Sequence, residues 1–185
     1  PSASIVARGS AGWILVGNDR GVSSSARLGS NGQWSRWSSP CATVGGSFSD
    51  LFALSTTRLE FTCKMGGFAS PLSKSAPPSA KIQSSWLYVS TNAGASFRYG
   101  PQLPFADTVI AAAPGGDLLA SRPSLLELST DAGRTWSPVY RGGWVFEAAF
   151  TSPRDAVALV ERIDRNATRL ISTSDGGVHW SVLAT

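Results

Sequence analysis

An eight-residue pattern that recurs three times constrains the fold of this 185-residue chain more than any other feature of its sequence. The pattern is Ser/Thr-x-Asp/Asn-x-Gly-x-x-aromatic, and its copies align without gaps. They occupy residues 90–97, 129–136 and 173–180, with successive starts 39 and 44 residues apart. A repeat of this period is typical of chains that stack one small supersecondary unit several times.

Each shared position of the pattern has a physical role in a tight turn. The Asp or Asn side chain accepts hydrogen bonds from backbone N–H groups just downstream, and the Gly takes a positive φ without a Cβ clash. The hydroxyl of Ser or Thr braces the same loop, and the aromatic residue begins the next strand and buries apolar surface. We predict a structural role for these twelve residues: Ser90, Asn92, Gly94, Phe97, Ser129, Asp131, Gly133, Trp136, Thr173, Asp175, Gly177 and Trp180. Residues 29–34 form a shorter, degraded fourth copy.

The pattern resembles the Asp-box, or BNR, repeat of bacterial sialidases, sortilin-like receptors and photosystem II assembly factors of the plant and cyanobacterial type. The copy at 129–136 matches completely and the copy at 173–180 nearly so, whereas the copy at 90–97 departs through Asn92 and Phe97. In those families the box lies between the third and fourth strands of a β-propeller blade, remote from the ligand face. The resemblance therefore implies a propeller fold in which the boxes are structural.

The composition agrees with an all-β fold, because charged residues are only 15% of the chain and Gly, Pro and Ser are abundant. We predict a β-propeller of four-stranded antiparallel blades, with residues 1–185 as a single propeller domain or propeller segment. Four blades can be traced, and propellers have about four to eight. Either the ring closes with four blades, or the chain is an excerpt of a larger ring, or an oligomeric or other partner completes it. The predicted strands are 4–8, 13–17, 24–28 and 34–38; 48–55, 58–64, 86–90 and 97–100; 107–113, 117–121, 125–129 and 136–140; and 144–150, 156–162, 169–173 and 180–183.

The second blade carries an insertion at residues 66–85, which is rich in Ser, Pro and Lys. It lies within an acid-free stretch at 61–106, in the half of the chain that holds nine basic and three acidic residues. Such a composition predicts a surface loop. Lys74 and Lys81 are our candidates for contact with a partner.

No catalytic, cofactor-binding or metal-binding residue is predicted. The resemblance to sialidases would require an early Arg-Ile-Pro motif, an arginine triad and a Tyr/Glu pair, and Arg122-Pro123 is the nearest echo of the motif. The single histidine, His179, occupies a variable box position and is interpreted as a turn residue. Carboxylates from distant loops can also serve glycoside hydrolysis. The candidates by position are Asp19, Asp107, Glu127 and Glu147, and the last three are equally consistent with outward-facing strand residues.

Three tryptophans outside the repeats and two cysteines remain to be placed. Trp13, Trp86 and Trp144 either line a groove for sugar or peptide or fill the core between blades, and burial of large aromatics favours the core. Cys41 and Cys63 are compatible with two buried thiols or with a disulfide in an oxidising compartment. Their predicted positions in neighbouring blades favour the disulfide.

These observations predict a non-catalytic binding or assembly module of the bacterial cell envelope. We expect it to be extracytoplasmic or secreted, to need no cofactor, and to bind a protein or glycan. The alternatives are part of a sialidase-like glycoside hydrolase and a subunit of a larger membrane-associated complex. Nucleic-acid binding is not expected, because no basic stripe with interleaved aromatics occurs. No apolar run approaches the roughly 18 residues of a transmembrane helix. An excess of Arg over Lys suggests a GC-rich bacterial source.

Overall fold

The protein is described by a computed structural model that covers residues 2–18, 21–44, 47–64, 85–103, 109–162 and 167–184. These residues form sixteen β-strands and one short helix. The strands make four antiparallel sheets, each built from four strands that are consecutive in the sequence and paired in chain order. The predicted fold class, an all-β β-propeller of four-stranded antiparallel blades, is confirmed.

The strand bounds follow the four predicted units closely. Blade 1 contains β1 (Ser2–Arg8), β2 (Ala11–Asn18), β3 (Gly21–Leu28) and β4 (Trp34–Arg36). Helix α1 (Pro40–Val44) follows, and blade 2 contains β5 (Ser47–Ala53), β6 (Leu59–Lys64), β7 (Ser85–Ser90) and β8 (Arg98–Gln102). Blade 3 contains β9 (Val109–Ala112), β10 (Leu118–Arg122), β11 (Leu125–Ser129) and β12 (Ser137–Arg141). Blade 4 contains β13 (Trp144–Phe150), β14 (Ala156–Arg162), β15 (Ala167–Thr173) and β16 (Ser181–Ala184).

The chain divides into two compact units, Pro1–Ala106 with blades 1 and 2, and Asp107–Thr185 with blades 3 and 4. In the first unit, Trp13 and Leu15 of blade 1 form one core with Leu59, Phe61 and Tyr88 of blade 2. Side chains alternate between the two faces of a strand, so each sheet contributes one face to this core. We call the face that packs on the following blade the back face, and the face that packs on the preceding blade the front face.

The second unit repeats this packing with smaller residues. Leu119, Leu126 and Leu128 on the back face of blade 3 form a core with Ala156 and Ile171 on the front face of blade 4. The leucines are buried in this core. Each unit thus holds one front-to-back pair of blades.

Helix α1 is an element that the sequence pattern does not predict. Ser39 accepts a hydrogen bond from the N–H of Ala42 at 3.3 Å, and Pro40 occupies the first helical position, where its missing N–H has no cost. The helix carries Cys41, which forms a disulfide with Cys63 of β6 at a Cα–Cα distance of 5.3 Å. Both cysteines are fully buried. The disulfide therefore ties the segment that leaves blade 1 to the second strand of blade 2.

The insertion predicted at residues 66–85 has only its last residue in the described structure. Ser85 is the first residue of β7 rather than part of a loop. Lys74 and Lys81 lie outside the described residues. Within the part of the chain that is described, no helix is long and apolar enough to span a membrane.

Candidate functional site

The three repeats form loops at equivalent places in three blades, and we call them the first, second and third repeat loops. They join β7 to β8, β11 to β12, and β15 to β16, which are the third and fourth strands of blades 2, 3 and 4. The shorter copy joins β3 to β4 in the same place in blade 1, where the N–H of Gln33 donates to Asn31 Oδ1 at 3.1 Å.

The second repeat loop shows how the pattern closes. Ser129 Oγ donates to Asp131 Oδ1 at 2.9 Å and accepts the N–H of Gly133 at 2.8 Å. The same carboxylate oxygen accepts the N–H groups of Arg134 at 3.0 Å and of Thr135 at 2.8 Å. Thr135 Oγ1 donates to the other oxygen, Oδ2, at 2.7 Å. Both oxygens of Asp131 are thus occupied by the loop itself.

The third repeat loop has the same geometry with a histidine in place of the threonine. Asp175 Oδ1 accepts the hydroxyl of Thr173 at 2.8 Å and the N–H groups of Val178 and His179 at 3.1 and 3.0 Å. His179 Nδ1 lies 2.7 Å from Asp175 Oδ2, and the imidazole is otherwise exposed. The contacts of His179 within the described residues are those of a turn residue.

The first repeat loop shows that an amide can replace the carboxylate. Asn92 Oδ1 accepts the hydroxyl of Ser90 and the N–H of Ser96, both at 2.9 Å. Gly94 has φ +84°, and a Cβ there would lie 2.7 Å from Nε1 of Trp37. That indole nitrogen donates to the carbonyl of Gly94 at 2.9 Å. The glycine therefore serves both the turn and the close approach of blade 1 to the loop of blade 2.

The aromatic residue that ends each repeat does not begin the next strand, contrary to the prediction. Strands β8, β12 and β16 start one residue later, at Arg98, Ser137 and Ser181. Trp136 and Trp180 are half-buried, and their Nε1 atoms donate to the carbonyls of Gly133 at 3.1 Å and Gly177 at 2.9 Å. Each of these two indoles is therefore bonded back to its own loop.

The electrostatics of the repeat loops match a structural role. Hydrogen bonds from the backbone and side chain of Thr135 lower the pKa of Asp131 to about 2. The backbone and side chain of His179 lower the pKa of Asp175 even further. Carboxyls with depressed pKa values stay ionised near neutral pH, whereas a general acid needs a raised pKa. These aspartates are therefore unsuited to proton donation.

Two of the four carboxylates considered for hydrolysis can be placed. Glu127 on β11 is buried, so its interpretation as an outward-facing residue is wrong, whereas Glu147 on β13 is exposed as that interpretation expects. Oε2 of Glu127 lies 3.7 Å from a guanidinium nitrogen of Arg122. Asp19 and Asp107 lie outside the described residues. The described structure therefore gives no acid–base pair from this set.

A buried acid that the sequence reasoning did not consider lies on β6. Glu60 is fully buried, and its Oε1 accepts a hydrogen bond from the Arg58 guanidinium at 2.8 Å. Glu60 lies between the core residues Leu59 and Phe61, so strand alternation alone would place it in solvent. Another acid is Asp50 on β5, where burial raises the pKa of the carboxyl to about 7. Among the described residues, no group of three or more His, Cys, Asp or Glu side chains is arranged to hold a metal ion.

The three tryptophans outside the repeats divide between core and surface. Trp13 and Trp86 belong to the core of the first unit, as predicted. Trp144 at the start of β13 is 50% exposed, so the core interpretation is wrong for this residue. Its partner across the sheet is Glu161, which is also exposed. Trp144 therefore belongs to the surface of blade 4.

The back face of blade 4 carries partly exposed apolar residues, among them Val157, Leu159 and Leu170. A cavity of about 270 Å³ lies on it, and another of about 490 Å³ lies at the end of the blade formed by the third repeat loop. The smaller one is lined by apolar side chains that include Ala149, Val157, Leu159 and Leu170. The larger one adds polar groups from the end of the blade and is bordered by Trp180. This face combines an apolar floor with a polar rim, which is typical of a binding surface.

Comparison with solved structures places the chain among propellers. The GH74 enzyme of Niastella koreensis matches with a TM-score of 0.59 and 14% identity over 97% of this chain and 29% of its own. The GH74 xyloglucanase of Xanthomonas campestris matches with a TM-score of 0.53 and 16% identity over 99% of this chain and 32% of its own. YCF48 of Cyanidioschyzon merolae matches with a TM-score of 0.47 and 14% identity over 97% of this chain and 71% of its own.

The chain spans about a third of the length of the two GH74 structures that it matches. No protein-family model matches the sequence. A comparison with curated proteins gives no significant match either. At these identities the likeness concerns the fold, and it is a likeness to β-propellers.

Proposed function

We propose that this chain is a non-catalytic β-propeller module of the Asp-box type that acts by binding a macromolecular partner. The observation that carries the proposal is the back face of blade 4, where Val157, Leu159 and Leu170 form the apolar floor of a cavity. An open apolar sheet face with a polar rim is typical of protein–protein contact. A protein partner therefore suits this face better than a glycan.

The repeat loops support the same proposal. Their aspartates and hydroxyls are engaged by the loops themselves, as at Asp131 and Asp175, and the pKa values of both carboxyls are lowered. The most recognisable polar residues of the sequence thus stabilise turns. This use agrees with an Asp-box repeat that builds the fold.

We also propose an extracytoplasmic location in a bacterium. The buried Cys41–Cys63 disulfide supports it, because stable disulfides form mainly in oxidising compartments.

Lys74 and Lys81 stay candidates for partner contact. Deletion of residues 70–81 should leave folding intact and weaken association with the partner.

The test compares capture of envelope proteins by the immobilised wild-type chain and by a Leu170→Glu variant. Ser137→Glu on β12 is the matched control, because Ser137 is exposed and belongs to blade 3. We expect Leu170→Glu to abolish capture and the control to keep it. Turnover of a sialoside or a xyloglucan fragment by the purified chain would contradict the proposal and would favour a glycoside hydrolase.

A further inference from the structure

The shorter copy of the repeat, between β3 and β4 of blade 1, closes less tightly than the complete copies. Among the described residues, the side chain of Asn31 makes a single hydrogen bond, in which Oδ1 accepts the N–H of Gln33 at 3.1 Å. The carboxylate of Asp131 in the second repeat loop accepts four hydrogen bonds. Gly29 opens the shorter copy in place of Ser or Thr, so no hydroxyl braces its turn.

Asn31 is followed by Gly32, and this Asn-Gly pair occurs once in the sequence. Both residues are exposed at the tip of the turn. Gly32 has φ +74°, and a Cβ placed there would have no heavy atom of a non-adjacent residue within 4 Å. Within the described part of the chain, Nδ2 of Asn31 has no hydrogen-bond partner. The side-chain amide and the backbone nitrogen that follows it are therefore both accessible.

We propose that Asn31 is a site of spontaneous covalent modification, in which its amide is converted to a carboxylate through a succinimide. The backbone nitrogen of Gly32 attacks Cγ of Asn31, and Nδ2 leaves as ammonia with the proton of the Gly32 N–H. Water then opens the cyclic imide. Cleavage of the new N–Cγ bond gives aspartate, whereas cleavage of the bond between the main-chain carbonyl carbon of Asn31 and the nitrogen gives isoaspartate. Water is the only co-reactant.

One hydrogen bond opposes this attack. The N–H of Gly32 donates to the carbonyl of Gly29 at 3.0 Å, so the turn has to open before the nitrogen reaches Cγ. Strand β4, which follows the turn, has only three residues, and all of them are exposed. Short exposed segments at the end of a sheet open locally at a low cost in free energy. The reactive conformation is thus reached without unfolding of blade 1.

Asn92 in the first repeat loop is a control within the same protein. Its Oδ1 accepts two hydrogen bonds and its Nδ2 donates to Ser96 Oγ at 2.8 Å, so the group that would leave is held in place. The next residue, Ala93, has a side chain that hinders the attack, and its N–H donates to the carbonyl of Thr57 at 2.7 Å. We therefore expect Asn92 to resist the reaction that modifies Asn31.

The two products differ in their effect on blade 1. Aspartate keeps an oxygen acceptor at the same place and lowers the formal net charge of the chain from +4 to +3. Isoaspartate brings the side-chain methylene into the main chain between Gly29 and Gln33, whose N–H and carbonyl are joined at 3.0 Å. The longer turn displaces the pairing of Leu28 with Trp34 that begins β4. Isoaspartate should therefore loosen β4.

The test is prolonged incubation of the folded chain in mildly alkaline buffer, followed by peptide mass spectrometry. We expect the peptide with Asn31 to show the mass increase of an NH2-to-OH exchange, in two chromatographically separate products, and the peptide with Asn92 to stay unchanged. Isoelectric focusing should show a new acidic species. Asn31→Gln is the matched variant and should give no such species, because its longer side chain forms the corresponding ring much more slowly. Hydrogen exchange of β4 should be faster in the isoaspartate fraction.

Three outcomes would overturn the proposal. Asn31 that stays intact in the folded chain but reacts in the chain unfolded in urea would show that the Gly32–Gly29 hydrogen bond protects it. Equal modification of Asn31 and Asn92 in the folded chain would show that the loose closure of the shorter copy has no effect. A product that is aspartate alone would exclude the succinimide, since direct hydrolysis of the amide gives no isoaspartate.

Discussion

The serine that opens the second repeat loop is a small side chain with two structural contacts. Ser129 is buried, and its hydroxyl accepts the N–H of Gly133 while it donates to Asp131. Ser129→Ala would leave the buried Gly133 N–H without an acceptor, so we expect a loss of about 1–3 kcal/mol in the free energy of unfolding. Urea unfolding measures this loss. Thr130→Ala at the exposed neighbouring position should stay within about 0.5 kcal/mol of wild type, and equal midpoints for the two variants would contradict the account.

Asp131 should make the stability of the protein depend on pH. Its pKa is about 2 in the folded chain against a usual value of 3.8, so the folded state favours the ionised carboxyl. The stabilisation is fully present above the usual pKa and is lost as the pH falls from about 4 to about 2. Asp131→Asn should reduce this acid sensitivity and keep the loop closed, since Asn92 closes the first repeat loop. Thermal melts between pH 5 and pH 2 measure this acid sensitivity. Melting temperatures that fall equally with pH for wild type and Asp131→Asn would disprove the role of the charge.

What the sequence could predict at the residue scale depends on how far away a residue's partners lie. Among the described residues, Asp131 accepts hydrogen bonds only from groups within four residues of it, so the pattern itself was sufficient. The burial of Glu127 and the exposure of Trp144 depend on sheet faces formed by distant segments. For both residues the prediction from local pattern was wrong.

At the scale of the element, the tryptophan that ends a repeat fastens a hairpin between two strands. Trp180 Nε1 donates to the Gly177 carbonyl, and the ring packs at the edge of the core of the second unit. Trp180→Phe should keep most of the packing and lose the hydrogen bond, because Phe97 fills this position in the first repeat loop. The expected cost is about 0.5–1.5 kcal/mol in chemical unfolding. A cost near that of a full cavity, about 3–5 kcal/mol, would show that the hydrogen bond is not the main contribution.

The disulfide joins helix α1 to strand β6 and closes a loop between residues 22 positions apart. A cross-link of this span stabilises by about 3 kcal/mol, chiefly by restricting the unfolded chain. The double variant Cys41→Ala, Cys63→Ala should therefore unfold at clearly lower denaturant concentration. The wild-type chain melted with and without a reductant provides the control, and identical melts in the two conditions would show that the bond does not stabilise the fold.

Strands were predictable as elements, but their exact ends and helix α1 were not. Alternating apolar residues and turn signals located all sixteen strands, and β13 and β14 have the predicted bounds. The strand after each repeat begins one residue later than predicted, after Phe97 as well as after Trp136 and Trp180, so the aromatic residue belongs to the turn. Helix α1 is only five residues long, too short to show a helical period.

At the scale of the whole molecule, the repeat and the resemblance that it carries were sufficient to predict the propeller class and the four blades of this chain. It was not sufficient to predict which sheet faces stay open. The positions of Val157 and Leu119 are equivalent in the repeat, yet one is partly exposed and the other is buried in the core. The partners of a sheet face come from segments outside its own blade, and the strand pattern of a single blade carries no information about them.

The open back face of blade 4 is the centre of this account, and site-specific photo-crosslinking tests it most directly. Leu159 is replaced by p-benzoylphenylalanine in the full chain, expressed in the source cell, and the same probe at Ser137 on β12 is the control. We predict a discrete adduct with a protein partner from position 159 and none from position 137. Illumination that gives no adduct at position 159, or the same adducts at both positions, would contradict the claim that this face is a binding surface.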